Sequence, residues 1–386
     1  MSHAVAITGI GVLSGFGIGT EPFWEGLVAG RSAIGALPGG PGRRGAVVPP
    51  IELRAFARTP AARRIDRVSL LTLAASRLAL ADAGLAPESF EPARTALALG
   101  SAFGNVAETV DFLDRLIARG AGNAFVFPNL VMNAPLSYAS IELVIRGPSL
   151  MVTEQEATGE AAVLAGAELI ASGAADVCLA GAADELHAVL HDILRDGGAL
   201  AAETPRPLDA AADGPCPGEG AALLVLEPMA RARARGARVY ARLVPHAGFG
   251  VPAPVHGWPQ DPGPIADGLR SLVADADLVV AGASGAPARD RIEAAALARA
   301  RGERRVPVTA PRGALGDFGS AGALGVAVAA LAIANGIVPP TTGLLGTPRA
   351  GLDVVGGGAR RQPIGAVVVD GLARGGICRP VRLEAA

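Results

Sequence analysis

The sequence predicts an α/β fold in which helices cover buried β-sheets. The first observation is that short apolar runs alternate with longer Ala-rich runs that have helical spacing. The second is that a Pro- and Gly-rich stretch, Pro245–Pro264, separates two halves with the same order of elements. Regular alternation of strands and helices favours layers of helices packed over mainly buried sheets.

The individual elements follow from the length and periodicity of the apolar runs. Short apolar runs predict buried strands at Val5–Val12, Thr95–Ser101, Val177–Ala180, Ala222–Leu226, Leu278–Val280 and Val367–Asp370. Helical spacing predicts helices at Leu70–Ala83, Val106–Arg119, Ala161–Ser172, Arg291–Ala300 and Ala321–Asn335. Since each half repeats strand, helix, strand, helix and closing strands, we expect an internal duplication with halves at 1–245 and 246–386.

The charge balance excludes two classes of partner. The chain of 386 residues has 34 basic and 36 acidic residues, so its net charge is −2, and no block of like charges stands out. Neither nucleic acid nor an anionic membrane is therefore an expected partner. All the basic residues are arginines, which excludes Schiff-base chemistry on a lysine and a phosphate-binding loop that needs one.

The cysteines and the apolar runs predict a chain of the reducing cytoplasm. Cys178, Cys216 and Cys378 are far apart, so neither a disulfide framework nor a structural zinc is expected. The most apolar run, Ala321–Ile337, is shorter than the roughly 20 residues of a membrane span. The N-terminus has no basic segment of a signal peptide. We expect no metal and no cofactor.

One segment carries the strongest functional signal. Gly147–Gly159 reads G-P-S-L-M-V-T-E-Q-E-A-T-G, which resembles G-P-S-x-x-x-x-x-x-C-A-[ST]-G, the segment that carries the acyl-accepting cysteine of the β-ketoacyl synthases. Five more segments resemble that family in the same order along the chain: Val5–Gly11, Phe23–Ser32, Ala81–Leu85, Gly218–Ala222 and Gly336–Thr341. The resemblance implies the thiolase fold, an α/β fold with two similar α/β halves in a five-layered αβαβα sandwich and an obligate dimer.

The catalytic positions of that family hold other residues here. In active members a cysteine takes the acyl chain, and two histidines polarise the thioester and stabilise its enolate. Without gaps, Glu156 stands at the cysteine position, Gly282 at the first histidine and Gly316 at the second. A shift of one residue would instead assign Arg312 to the lysine that orders a histidine, and Asp317 to the second histidine.

An intact scaffold without these residues resembles the chain-length factor, the partner of the catalytic ketosynthase in type II polyketide synthases. A carboxylate at position 156 is a weak nucleophile beside a thiolate, and Arg374 stands at the position of the family's gating phenylalanine. The resemblance implies a non-catalytic subunit that forms a heterodimer with a catalytic ketosynthase. The pair would shape the tunnel of a polyketide or polyene chain, and acyl carrier protein would reach it through the complex.

The resemblance also implies positions along the tunnel. Val106, Thr109 and Leu113 match the positions that end the tunnel, and their spacing puts them on one helix face. The same spacing is typical of an ordinary core stripe. Val126 matches a position that reaches across the dimer into the neighbouring pocket.

Three interpretations of Glu156 stay open at this point. It can cap the following helix and fill an inactive pocket, or Glu156 or Gln155 can pair with an arginine such as Arg374 to plug that pocket. It can also be catalytic. The corresponding alternatives for the whole chain are a stand-alone enzyme that uses Glu156 for decarboxylation or acyl transfer, and a homodimeric binding or scaffold protein.

A pair of histidines gives a weaker signal. His187 and His191 stand four residues apart in a run with helical character, a spacing that can hold a metal ion. No third ligand is apparent in the sequence, so a solvent-exposed helix face is the preferred interpretation.

Overall fold

The computed structural model describes residues 4–40, 42–86 and 89–386. The strands, in chain order, are β1 (Val5–Ser14), β2 (Gly17–Ile18), β3 (Gly35–Ala36), β4 (Arg44–Gly45), β5 (Thr95–Gly100), β6 (Ser149–Val152), β7 (Val177–Asp184), β8 (Gly220–Pro228), β9 (Ala241–Val244), β10 (Phe249–Gly250), β11 (Leu278–Val280), β12 (Pro307–Thr309), β13 (Ile337–Val338), β14 (Asp353–Val354), β15 (Arg360–Arg361), β16 (Ala366–Val369), β17 (Ile377–Cys378) and β18 (Val381–Glu384).

The α-helices, in chain order, are α1 (Thr20–Val28), α2 (Leu53–Phe56), α3 (Arg67–Asp82), α4 (Val106–Arg119), α5 (Ala134–Leu143), α6 (Thr158–Ala171), α7 (Ala188–Asp196), α8 (Met229–Ala234), α9 (Gly263–Val273), α10 (Pro287–Arg301), α11 (Arg312–Leu315) and α12 (Gly322–Asn335). In the part of the chain that the structure describes, no helix combines the length and the apolar character needed to cross a membrane.

The main sheet is one hydrogen-bonded path. Its order is β14-β12-β11-β16-β18-β9-β1-β8-β7-β5-β6, and β2 pairs with β1. The outer strands of each half pair in parallel, as β5 does with β6 and β7, and β11 with β12 and β16. In the middle, β9 pairs with both β1 and β18 and so joins the halves. The division at residue 245 stays a prediction.

The hydrophobic core shows five layers. Side chains of α6 and α12 pack between the inward faces of both halves of the sheet. On one outer side, α3 and α5 cover the opposite face of β1, β5, β7 and β8. On the other outer side, α9 and α10 cover β11, β12 and β16. This order of helix, sheet, helix, sheet and helix agrees with the architecture expected from the sequence.

The six predicted strands and five predicted helices are all present. Strand β11 and helix α4 have the predicted ends, and the others differ at one or both ends. The helix expected from Leu70 already begins at Arg67, because Asp66 caps it by accepting the Ser69 N–H at 2.9 Å. The helix expected from Arg291 begins at Pro287, a residue type suited to the first helical position, where its missing N–H leaves no bond unmade.

The expectation for the histidine pair is wrong. Strand β7 continues to Asp184 and α7 begins only at Ala188, so His187 precedes the helix in extended backbone. Its Nδ1 accepts the Val189 N–H at 3.3 Å. His191 lies on the helix but is buried rather than exposed to solvent. Within the described ranges, no group of three or more potential ligands could hold a metal ion.

Candidate functional site

A tight turn between β6 and α6 presents Glu156. The turn is a 3-10 segment, Gln155–Ala157, that leads directly into α6. Gln155 has a φ of 52°, a left-handed conformation that is uncommon for a residue with a side chain. Thr158 fixes the turn, since its hydroxyl accepts the Glu154 N–H and donates to the Gln155 carbonyl, each at 2.8 Å. Glu156 itself is only 9% exposed.

Arg374 holds the Glu156 carboxylate. Its Nε donates to Oε1 at 2.7 Å, and its backbone N–H donates to Oε2 at 3.1 Å. Nη2 lies 2.6 Å from Oε1 as well. The structure therefore brings together two of the residues that the sequence suggested as a plug. The third, Gln155, lies beside them on the wall of the same cavity.

A second arginine–glutamate pair runs beside the first. Arg379 forms a two-pronged pair with Glu154, with Nε to Oε2 at 2.6 Å and Nη2 to Oε1 at 2.9 Å. Bidentate pairs of this kind fix orientation as well as distance. The segment 374–379, where the family has its gate, is thus fastened to both sides of the turn that carries Glu156.

The position of the family's first histidine is filled from the side. A Cβ placed on Gly282 would lie 2.3 Å from Nη2 of Arg289, so the guanidinium occupies the space that a side chain would enter. Arg289 is 1% exposed and lies over the ring of Trp258, with its Cζ 5.4 Å from the ring centroid. It forms ion pairs with Asp317 at 3.7 Å and with Glu293 at 3.9 Å.

The structure favours the shifted register at the second histidine. Gly316 has a φ of 79°, and a Cβ there would lie 2.8 Å from the Gly218 Cα, so this position cannot direct a side chain into the cavity. Asp317 lines the cavity instead. Nη1 of Arg312 donates to Oδ1 of Asp317 at 2.6 Å, and Nη2 of Arg312 donates to the Glu156 carbonyl at 3.2 Å.

Deeper in the protein, buried carboxyls accompany these arginines. Burial raises the pKa of Glu160 to about 7, although Arg312 and Arg289 act against this rise. Burial raises the pKa of Asp370 to about 6, and burial with the nearby Asp370 charge raises that of Glu293 well above its usual range. Asp317 differs, because Arg312 and Arg289 lower its pKa in spite of its burial.

Glu156, Asp317 and Arg374 border a cavity of about 290 Å³. The polar part of its wall comes from Thr153, Gln155, Glu156, Asp317, Arg374 and His256. Its apolar part comes from Phe103, Leu194, Pro215, Pro217 and Phe318. Among the described residues of this wall there is no thiol, and His256 is the one histidine. The two carboxylates of this wall are paired with arginines, Glu156 with Arg374 and Asp317 with Arg312.

The other predicted positions lie on a different part of the surface. Val106 and Thr109 are half-buried on α4, and Leu113 is 47% exposed on the same face. Val126 is half-buried just before a short 3-10 segment, Phe127–Asn129. None of the four borders the cavity beside Glu156.

This surface is unusually apolar for an exposed one. The exposed large apolar side chains along α4, the following loop, α5 and β6 are Leu113, Leu116, Ile117, Phe125, Phe127, Val131, Met132, Ile141, Val144 and Leu150. Strand β6 ends the sheet path and, among the described strands, pairs only with β5. Exposed apolar side chains beside an open strand edge are typical of a protein–protein interface.

Sequence reasoning missed Arg289, Arg379, His256 and the role of Glu154. No local pattern signals the Glu154–Arg379 pair, because its two residues are 225 positions apart and lie on opposite halves of the chain. The sequence contains one indirect signal for Arg289. Gly282, aligned with the first histidine, leaves space for another side chain, and an arginine seven residues later on a helix can reach that space.

Comparison with known proteins agrees with the fold. The β-ketoacyl synthase N-terminal domain matches residues 2–232, and the β-ketoacyl synthase C-terminal domain matches residues 269–344. The chain belongs to the β-ketoacyl synthase family. The resemblance and the thiolase-type fold expected from the sequence are thereby confirmed.

Several relatives are similar over nearly their whole length. A granaticin polyketide putative β-ketoacyl synthase of Streptomyces violaceoruber is 32% identical, over 97% of this chain and 97% of its own. The β subunit of the tetracenomycin polyketide synthase ketoacyl synthase of Streptomyces glaucescens is 32% identical over 91% of this chain and 90% of its own. The α subunit of the same synthase is also 32% identical, over 96% and 95%. Overall identity therefore does not distinguish the two subunit types.

A solved structure is similar across the entire chain. The structure titled the ishigamide ketosynthase/chain length factor has a TM-score of 0.94 and 28% identity, with 100% of both chains covered. A β-ketoacyl synthase from Burkholderia phymatum has a TM-score of 0.90 at the same identity, also with full coverage.

Proposed function

We propose that this chain is a non-catalytic, ketosynthase-like subunit of the chain-length-factor type. It pairs with a catalytic ketosynthase, and the interface shapes the tunnel for a growing polyketide or polyene chain. The catalytic partner performs the decarboxylative condensation, and acyl carrier protein delivers its acyl groups through the complex. This chain contributes shape and contacts rather than a nucleophile.

The observation that carries the proposal is the Glu156–Arg374 pair. The carboxylate at the nucleophile position accepts hydrogen bonds from both the backbone and the guanidinium of Arg374. Even an unpaired carboxylate would attack a thioester poorly. In addition, Arg289 fills the space beside Gly282, so no imidazole there can stabilise an enolate.

The exposed apolar surface supports the need for a partner. Helix α4 has no buried residue, yet its exposed side includes Leu113, Leu116 and Ile117. An obligate partner would remove such side chains from water. The name of the ishigamide structure pairs a ketosynthase with a chain length factor, and the tetracenomycin synthase has named α and β subunits. These relatives make a catalytic ketosynthase the preferred occupant of this surface.

An acylation experiment on the isolated chain tests whether it lacks a functional nucleophile. Incubated with an acyl-loaded carrier protein, or with a cysteine-directed ketosynthase inhibitor, the chain should gain no covalent mass in an intact-mass spectrum. As a matched positive control, Glu156→Cys restores a thiol at the turn. A stoichiometric adduct on Glu156 would contradict the proposal and favour the stand-alone enzyme instead.

Reconstitution tests the partnership. The chain should be inactive alone and should form a one-to-one complex with a catalytic ketosynthase encoded beside it. That complex, supplied with carrier protein and malonyl units, should release extended chains. A stable homodimer that does not exchange with the ketosynthase would favour the binding or scaffold alternative.

A further inference from the structure

Helix α4 and the loop after it project from the body of the protein with few internal contacts. The first turn is anchored, because the buried carboxylate of Glu185 accepts the Ala107 N–H at 2.8 Å. Beyond Val110 every residue of the helix is exposed except Phe112. Something other than burial of its apolar face must therefore set the direction of this helix in the free chain.

The ring of Phe112 provides a contact. Its centroid lies 6.0 Å from that of Phe127, with the ring planes inclined at 56°. The ring also lies against Gly122, where a Cβ would approach Cε2 of Phe112 to 2.2 Å. A tilted pair at this separation is a favourable aromatic geometry. It joins the middle of α4 to the returning loop and closes the two segments into one arm.

The loop has a second ring contact on its other side. The guanidinium of Arg64 lies over Phe125, with Cζ 4.6 Å from the ring centroid, in cation–π geometry. Just beyond, Nδ2 of Asn129 donates to the Arg64 carbonyl at 2.7 Å. Val126 is thus held between two ring contacts and a partly buried hydrogen bond.

We propose that Phe112, Phe127 and Phe125 are positioning residues that fix α4 and the Val126 loop as one rigid arm. The inference rests on the proposed function, in which α4 and Val126 lie at the tunnel and the partner. The rings need not touch the growing chain. They hold the tunnel-facing side of α4 at one distance from the body, so that the tunnel ends at one length.

The first test measures the arm in the isolated chain and does not depend on any activity. Phe112→Leu keeps an apolar side chain but removes the ring pair, and Gly122→Ala keeps the ring but displaces it. Both should accelerate amide hydrogen exchange within 106–130 by at least about threefold, with the rest of the chain unchanged. Phe112→Tyr should exchange like the wild type. Unchanged amide exchange in both Phe112→Leu and Gly122→Ala would overturn the inference that the ring contacts hold α4 and the loop together.

The second test uses the complex with the catalytic ketosynthase. Phe112→Leu and Gly122→Ala should spread the released chains over several lengths, while the rate of the first condensation and the affinity of the subunits stay within about threefold of wild type. Phe112→Tyr should restore a single dominant length. Weaker subunit binding with an unchanged length distribution would overturn the inference and make the rings interface contacts only. If the wild-type pair releases no chains, the proposed function fails, whereas the exchange result stands by itself.

Discussion

Two helices of equal length in this protein have opposite surroundings. Both α4 and α12 have 14 residues. Eleven residues of α12 are buried, and it is apolar all round, as expected for a helix between the two halves of the main sheet. No residue of α4 is buried, and its apolar residues lie along one side. The apolar side chains of α12 are covered by the rest of the chain, whereas the apolar side of α4 is exposed in the isolated chain.

The two helices nevertheless begin in a similar way. Glu185 accepts the first-turn N–H of Ala107 on α4, and Glu160 packs directly against Gly322, the first residue of α12. Burial raises the pKa of both carboxyls to about 7. The first turn of each helix is thus anchored to the body of the protein, and the two helices differ in how much of the remaining length is buried. Helix α12 is part of the core, while α4 is the helix that we propose meets a partner.

The largest effect should come from placing the same charge on each helix. Ala329→Asp buries an unpaired carboxylate in the central layer, where Ala329 has no exposure, and should destabilise the fold by about 4 kcal/mol or more. Ile117→Asp changes a side chain that is 83% exposed, so the free energy of unfolding of the isolated chain should change by less than about 0.5 kcal/mol. Chemical denaturation measures both.

Ile117→Asp also tests the proposed partner surface. Ile117→Asp should weaken the heterodimer by at least about tenfold, because a charge replaces an apolar contact at the interface. Ala118→Asp, on the polar side of α4, is the matched control and should leave the affinity unchanged. Equal affinity for both variants in a titration of the subunits would mean that α4 does not face the partner.

The next effect is the pH dependence of stability that Glu160, packed against the first residue of α12, should cause. Since the folded chain raises the pKa of Glu160 from 4.5 to about 7, it binds this proton more tightly than the unfolded chain does. The wild type therefore loses stability as pH rises from about 4.5 to about 7. Glu160→Gln cannot titrate, so its stability relative to wild type should rise by about 3 kcal/mol between pH 4.5 and pH 8.

Denaturation curves at several pH values measure this difference. The control is Glu168→Gln, which changes an exposed carboxylate on the same helix, α6. Stability curves of wild type and Glu160→Gln that stay parallel across the range would mean that burial does not hold the proton on Glu160.

A smaller effect is expected on the side of α4 that we propose faces the tunnel. Thr109→Phe or Leu113→Phe adds a ring to a packed wall, which resists with strain of about 1–3 kcal/mol. Only the longest intermediates reach that wall, so the released chains should become shorter while the early condensations continue. Mass spectrometry of the products measures this shift. The same product lengths from both variants, with the heterodimer intact, would assign this face to the interface alone.

The smallest effect should come from Glu156→Gln. The amide keeps the shape and can still accept from Arg374, so turnover of the complex should stay within about twofold. Glu156→Ala should be worse, by about 1–3 kcal/mol of stability, because it leaves a void and an unpaired guanidinium. Adding Arg374→Ala to it should recover part of that loss. A loss of turnover by several orders of magnitude in Glu156→Gln, with the complex assembled, would mean that the carboxylate performs chemistry.

The sequence by itself determined the local elements and the family. Apolar periodicity is a property of neighbouring residues, so α4 was predicted with the same ends, Val106 and Arg119, that the structure has. The segment Gly147–Gly159 could be aligned for the same reason, and it predicts Glu156 at the nucleophile position. Two helix starts were predicted wrongly. Asp66 caps α3, so this helix begins before the predicted Leu70, and β7 extends to Asp184, so α7 begins only after His187.

Only the tertiary structure decided how the positions that the sequence aligned with the family's catalytic residues are filled. Glu156 and Arg374 are 218 residues apart, and Glu154 and Arg379 are 225 apart, so no local pattern connects the second pair. The choice between Gly316 and Asp317 depends on a positive φ and on the nearby Gly218 backbone, which leave Asp317 as the residue that faces the cavity. The space beside Gly282 is filled by Arg289 because folding packs its guanidinium there. Burial, charge pairing and the direction of side chains depend on distant parts of the chain, and only folding brings these together.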